Sequence, residues 1–187
     1  MLQSWGDRLV ASFASDLKRA PAIESTPFAM EVKSRKVKYA MLPEDKVRSE
    51  ATYWRNRFKS NAVYVKLVDA WERHSLQMIQ DKVDSLPFDS TLIAFGNRVF
   101  ATTPFETFSH ANREIGRHTT VAVYVVGYSN GYGDYWPATM VMDQEGYEGG
   151  SSSILSGHFS FAKGPLETFA AETAMDAQKL VKSKNTK

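Results

Sequence analysis

An α/β fold, or its α+β variant, built on a mixed sheet with flanking helices follows from three observations. Apolar residues recur at helical spacing in several long segments. They alternate with period two in others, and the two kinds of segment are interleaved along the chain. The 187 residues suit one domain, and neither an internal repeat nor a linker divides 1–187.

Leu2, Trp5, Leu9, Phe13 and Leu17 share one helical face with charges between them, which predicts an amphipathic helix over 2–19, stopped before Pro21. Phe28, Met30 and Val32, then Val37 and Tyr39, predict two short strands or one bent strand through 28–41. Pro43, Glu44 and Asp45 open a second helix reaching about Lys59, with early acids that suit its dipole. A third helix covers 62–82 with Leu67, Trp71, Met78 and Ile79 inward and His74 partly buried beside them. Residues 91–95 and 99–102 pair around Gly96-Asn97. A short helix is expected from Pro104 to Ile115. The run TVAVYVVGY, 120–128, reads as a strand buried on both faces. Residues 129–152 are loop-like, and a closing helix spans 165–181 before a frayed tail at 182–187.

Composition excludes several classes. At 43% hydrophobic and 24% charged residues the chain can bury a core and is not disordered. A net charge of +2 gives no reason to expect nucleic acid. The absence of cysteine removes disulfides and thiolate metal sites. No apolar run is long enough for a membrane span. Residues 1–20 lack the apolar core of a signal peptide, so the chain as written is expected in the cytoplasm, although a full-length parent could be secreted. The basic cluster Lys33, Arg35, Lys36 and Lys38 reads either as a solvated strand edge or as a site for an anionic headgroup.

Two segments can carry chemistry. The first, 127–153, interleaves Tyr128, Tyr132, Tyr135 and Tyr147 with glycines. Glycine lets backbone approach a ligand closely, and tyrosine joins an apolar body to a hydroxyl. That suits a pocket for an amphipathic molecule, or equally an aromatic loop closing the core. The second is Glu106 in TTPFETF. Thr103-Pro104-Phe105-Glu106 has the pattern of a capping box, in which Glu106 bonds back to the Thr103 amide. A strand-to-helix junction is also where sites gather in α/β sheets. His74, His110, His118 and His158 have no self-contained zinc spacing.

In order along the chain, these motifs resemble the neutral/alkaline ceramidases and their bacterial relatives, zinc-dependent amidohydrolases. The resemblance rests on a strand followed by proline and glutamate (VFATTPFE, Val99 to Glu106) and on GYSNGY from Gly127 to Tyr132. It rests further on YWPAT from Tyr135 to Thr139 and on YEGGS from Tyr147 to Ser151. Gly6 and Leu9 in the first helix, and Glu167 and Glu172 in the last, fit the same order. Pro104-Phe105 stands where that family has a small residue before the glutamate, and the Glu106-to-Tyr135 stretch is closer in length to the bacterial relatives.

The resemblance implies that residues 1–187 correspond to the C-terminal half of a catalytic domain. Glu106 and Tyr135 would be metal ligands for zinc, and Tyr147 would contact the reacting amide. The two histidine ligands of that family belong to an N-terminal half, so this chain alone is expected to be inactive or weak. It would act on amphipathic N-acyl amides only with that half, and the face left open by the missing half would let the chain form a homo-oligomer. The other reading is a non-enzymatic module that binds lipid or protein.

Overall fold

The computed structural model describes residues 28–142 and 146–183, with positions 7, 8, 10–12, 14, 15 and 18. Those early positions are helical and mostly exposed, as a helix over 2–19 requires. Its apolar stripe of Leu2, Trp5, Leu9, Phe13 and Leu17 lies outside the described residues, as does the tail from 184.

The described chain runs β1 (Phe28–Lys38), α1 (Glu44–Arg57), α2 (Ala62–Asp81), β2 (Ser85–Phe95), β3 (Arg98–Thr102), β4 (Glu106–Thr107) and α3 (His110–His118). It continues through β5 (Ala122–Val126), β6 (Tyr135–Trp136), α4 (Thr139–Met142), a π-helical turn (Tyr147–Ser151), α5 (Ser152–Ser156) and α6 (Pro165–Lys182). The main sheet has the order β1-β2-β3-β5. Its first two pairings are antiparallel and β3–β5 is parallel, so the sheet is mixed and the α/β class holds. A second, two-stranded sheet pairs β4 with β6.

Local chemistry explains the boundaries. Asn61 caps α2, its side chain accepting from the Val63 N–H at 3.1 Å and the Tyr64 N–H at 3.3 Å. Lys82, at φ 57°, ends it in the left-handed region. Trp71 and Met78 are buried as expected, Leu67 and Ile79 are half-buried, and His74 is exposed rather than packed. Arg55 Nε lies 2.7 Å from Asp69, and its guanidinium also meets Glu72, which ties α1 to α2. β1 is one strand rather than two. β2 begins before Pro87, because there it pairs only with β1 (Pro87 opposite Lys36) and β3 starts pairing at Leu92. A proline is tolerated where its missing N–H faces no neighbour.

One face of the sheet is covered by α6, with Leu92, Ala94, Val99 and Ala101 packed against Ala177 and Leu180. Ile115 joins α3 to Ala170 and Ala174. The other face exposes Phe28, Met30, Val32, Phe95, Phe100, Tyr124 and Val126. β5 is therefore not buried on both faces. It is an edge strand whose burial alternates, with Tyr124 47% exposed, so its apolar run marks an open apolar face instead of a central strand. Among the described residues no helix is long and apolar enough to cross a membrane.

Candidate functional site

β3 and β5 end side by side at Thr102 and Val126. The segments that leave them stay together. The Thr103 N–H donates to the Val126 carbonyl (2.9 Å), that of Ser129 to Thr103 (2.8 Å), that of Tyr128 to Phe105 (3.1 Å) and that of Gly133 to Pro104 (2.8 Å). The second loop thus wraps around Phe105, and two glycines permit it. A Cβ on Gly133 would lie 2.2 Å from the Phe105 ring, and one on Gly127 would lie 2.7 Å from the Phe105 carbonyl oxygen. The C-terminal ends of parallel strands are where ligand sites collect in α/β sheets.

The expected helix from Pro104 is not formed, and Glu106 is not a cap. The Phe105 N–H donates to Thr103 Oγ1 at 3.1 Å, while the Glu106 N–H donates to the Asp134 carbonyl at 3.0 Å. These bonds hold 106–107 extended against β6, and the helix begins only at His110. The competing partner was Asp134, distant in sequence and invisible to a local capping rule.

Pairing of β4 with β6 sets Glu106 directly opposite Tyr135. The Glu106 carboxylate accepts from the Tyr128 hydroxyl and from the Tyr135 phenol. Desolvation first, then the charge and hydrogen bond of Glu106, push the Tyr135 phenol above its ordinary range. Tyr147 stands edge-on to Tyr135, ring centres 5.5 Å apart at 83°, and Tyr132 stacks on Tyr128 at 5.9 Å and 4°. The three residues carried from the sequence, Glu106, Tyr135 and Tyr147, therefore meet in one cluster. Tyr132 and Tyr147 are also pushed up, by desolvation and then by Asp134.

Sequence reasoning missed Asp134 and His158. Asp134 is 2% exposed at φ 68°, and its Oδ2 lies 3.4 Å from His158 Nε2. The other ring nitrogen, Nδ1, is 2.7 Å from the Phe159 carbonyl, which can only accept, so Nδ1 carries a proton. Tyr39 and Phe161 flank the imidazole at 5.9 and 5.6 Å. Burial works to raise the Asp134 carboxyl. His158, the Tyr135 backbone N–H and the Ser156 hydroxyl outweigh it and hold the carboxyl below the usual range. The only hint in the sequence was an aspartate after glycine, a residue that tolerates positive φ. A cavity of about 250 Å³ lies here, lined by Asp134, Tyr135, Glu148, Ser153 and His158.

As a zinc site these donors are incomplete. Glu106 and Tyr135 offer two convergent oxygens, but among the described residues no three His, Cys, Asp or Glu side chains are grouped to hold a metal. His74 is exposed on α2, and His158 is engaged with Asp134. His110 and His118 bracket Glu114 on α3, at 3.8 and 3.5 Å.

One test of the cluster is optical. Glu106→Gln removes the charge that opposes the phenolate, so the Tyr135 phenol should titrate at lower pH. Phenolate absorbance, with Tyr135→Phe identifying the component, reads the shift. An unchanged titration would separate the two residues.

No protein-family model matches the chain, and no curated protein matches it. Among solved structures it is similar to the neutral ceramidase from Pseudomonas aeruginosa, with a TM-score of 0.42, 15% identity, and coverage of 83% of this chain and 29% of that one. It is also similar to a ceramidase complexed with C2, with a TM-score of 0.37, 17% identity, and coverage of 50% of this chain and 15% of that one. The chain thus spans less than a third of the length of either ceramidase.

Proposed function

We propose that this chain, as a single domain over 1–187, supplies one half of a zinc-dependent amidohydrolase centre of the ceramidase type. Glu106 and Tyr135 are two of its metal ligands, and Tyr147 faces the reacting amide. The observation that carries this reading is the β4–β6 register, which sets Glu106 opposite Tyr135 with Tyr147 edge-on beside it. Catalytic zinc takes three or four protein ligands, usually with histidine among them, so a partner half contributes the rest. The open apolar face suits that partner. Its strands β3 and β5 end at Thr102 and Val126, where both site segments depart, and it is the surface such a partner would cover.

A bound zinc ion supplies an acidified water and a polarised amide carbonyl. This chain's residues do the rest. Glu106 holds the Tyr135 phenol in place by hydrogen bond and is a hard oxygen donor. Tyr147 keeps its proton at neutral pH and donates it in a hydrogen bond to the amide oxygen as charge develops, a contact worth about 3 kcal/mol. The glycine-tyrosine loop offers rings to an amphipathic N-acyl chain.

The test is zinc content and N-acyl amide hydrolysis of the purified chain, alone and co-expressed with the N-terminal half of a neutral ceramidase. Stoichiometric zinc and activity in the pair only, both lost in Glu106→Gln by about 10²-fold or more, are expected. Zinc-dependent hydrolysis by the chain alone would overturn the half-site reading. No zinc in either preparation would favour the non-enzymatic lipid- or protein-binding module.

A further inference from the structure

The outer face of a helix is ordinarily polar and mixed in charge. The tip where α1 turns into α2 departs from that pattern. Its aromatic side chains form one continuous run. Tyr53 meets Trp54 edge-on with ring centres 5.2 Å apart, Trp54 stacks on Phe58 at 5.3 Å, and Phe58 meets Tyr64 edge-on at 5.2 Å. Trp54 and Phe58 also pack on the buried side chains of α1 and α2, so they have a structural role. That role does not account for Tyr53, Val63 and Tyr64, which are 54%, 65% and 39% exposed.

Charge is one-sided in the same place. Residues 51–68 hold Arg55, Arg57, Lys59 and Lys66 and neither Asp nor Glu, in a chain with 23 basic and 21 acidic residues. Arg55 is matched by Asp69 and Glu72. Arg57, Lys59 and Lys66 are exposed, and the Arg57 guanidinium lies 5.7 Å from the centre of the Trp54 ring. Val63 and Lys66 are three apart on α2 and so share a face. The exposed Glu50, one turn before Tyr53 on α1, marks the limit of the patch. The tip also adjoins the tyrosine cluster. Trp54 and Gly150 line one cavity of about 270 Å³, and Gly150 belongs to the turn that Tyr147 opens.

Tyrosine has an apolar body and a wet end, which suits a headgroup layer, and lysine and arginine beside it suit an anionic lipid surface. We propose that the α1–α2 tip docks on an anionic bilayer surface, with Tyr53, Val63 and Tyr64 in the headgroup layer and Arg57, Lys59 and Lys66 on lipid phosphates. Such docking is peripheral and needs no membrane span. It brings the turn at Tyr147 to the bilayer surface, where amphipathic molecules reside. The surface is separate from the Glu106–Tyr135 pairing, and docking is read without metal or hydrolysis.

Sedimentation of the full chain with vesicles of phosphatidylcholine, alone or mixed with phosphatidylserine, tests it. Binding to the mixed vesicles is expected, about ten-fold or more tighter than to the neutral ones and weakening with added salt. K59E/K66E, two exposed substitutions that leave the melting curve in place, should lower it about ten-fold or more. V63S/Y64S should lower it several-fold at unchanged charge, which a purely coulombic contact would not show. Lipid brominated close to the headgroup should quench Trp54 fluorescence, and Trp54→Phe should remove that quenching. Should the tryptophan variant not fold, the two exposed double variants still decide. Equal binding of neutral vesicles, unchanged binding in K59E/K66E, or quenching that survives in Trp54→Phe and so comes from Trp5 in the first helix would overturn the proposal. No binding to anionic vesicles would also overturn it and leave the tip to an acidic protein.

Discussion

Phe105→Ala is expected to cost about 3–5 kcal/mol in urea denaturation, enough to remove most of a domain's usual margin. Phe105 is fully buried, with ring centres of Trp136, Phe88 and Phe161 at 4.6, 5.1 and 5.3 Å. It is also the post around which the 127–133 loop is wound, since backbone groups of Tyr128 and Gly133 bond to Phe105 and Pro104. Truncation therefore opens a cavity under the tyrosine cluster as well as in the core. Phe105→Leu should recover about half of the loss, because most of the buried volume returns. A cost below about 1 kcal/mol for the alanine variant would show that the loop collapses onto the space and that the glycine contacts are not what shapes it.

The second large effect is at Asp134. Leaving a buried polar group without its partner costs about 1–3 kcal/mol. Asp134→Ala should approach that cost, since its carboxylate is 3% exposed against His158. The pH dependence has a fixed sign. The Asp134 carboxyl is held below its ordinary value in the folded chain, whereas unfolded aspartate titrates near 3.9. Its contribution is therefore complete above about pH 4 and lost as pH falls through the lower folded value. Melting temperature across acid pH should fall less steeply for Asp134→Asn than for the parent chain, on top of a uniform loss at neutral pH. Parallel curves would mean that the pair does not carry acid stability.

The helices and the β2–β3 turn were readable from the sequence because their signals are local. Asn61, Pro43, Gly96 and Pro165 act within a few residues of where they stand. The errors arose where a distant partner decided the outcome. Glu106 looked like a cap because Thr103 and Pro104 precede it, yet its N–H is taken by Asp134 from beyond β5. β5 looked central because apolar side chains fall on both of its faces, and a run of residues cannot say whether a second layer is present. The cluster of Glu106, Tyr135 and Tyr147 was named from motif order, and the β4–β6 pairing that joins the first two has no local signature. Asp134 carried only the weak hint of an aspartate after glycine and His158 none, because their meaning lies in burial and mutual distance.

The pairing of β1 with β2 bears on how this chain reaches its fold. Lys38 lies opposite Ser85, so the longest ladder in the sheet closes only after the whole of α1 and α2 has been brought round. β2 and β3, by contrast, meet across Gly96-Asn97 with almost no loop to close. Closure entropy grows with the length enclosed, and non-local ladders slow folding. The hairpin and the α1–α2 pair are therefore expected to form before β1 docks, which a strand-resolved hydrogen-exchange pulse during refolding would check.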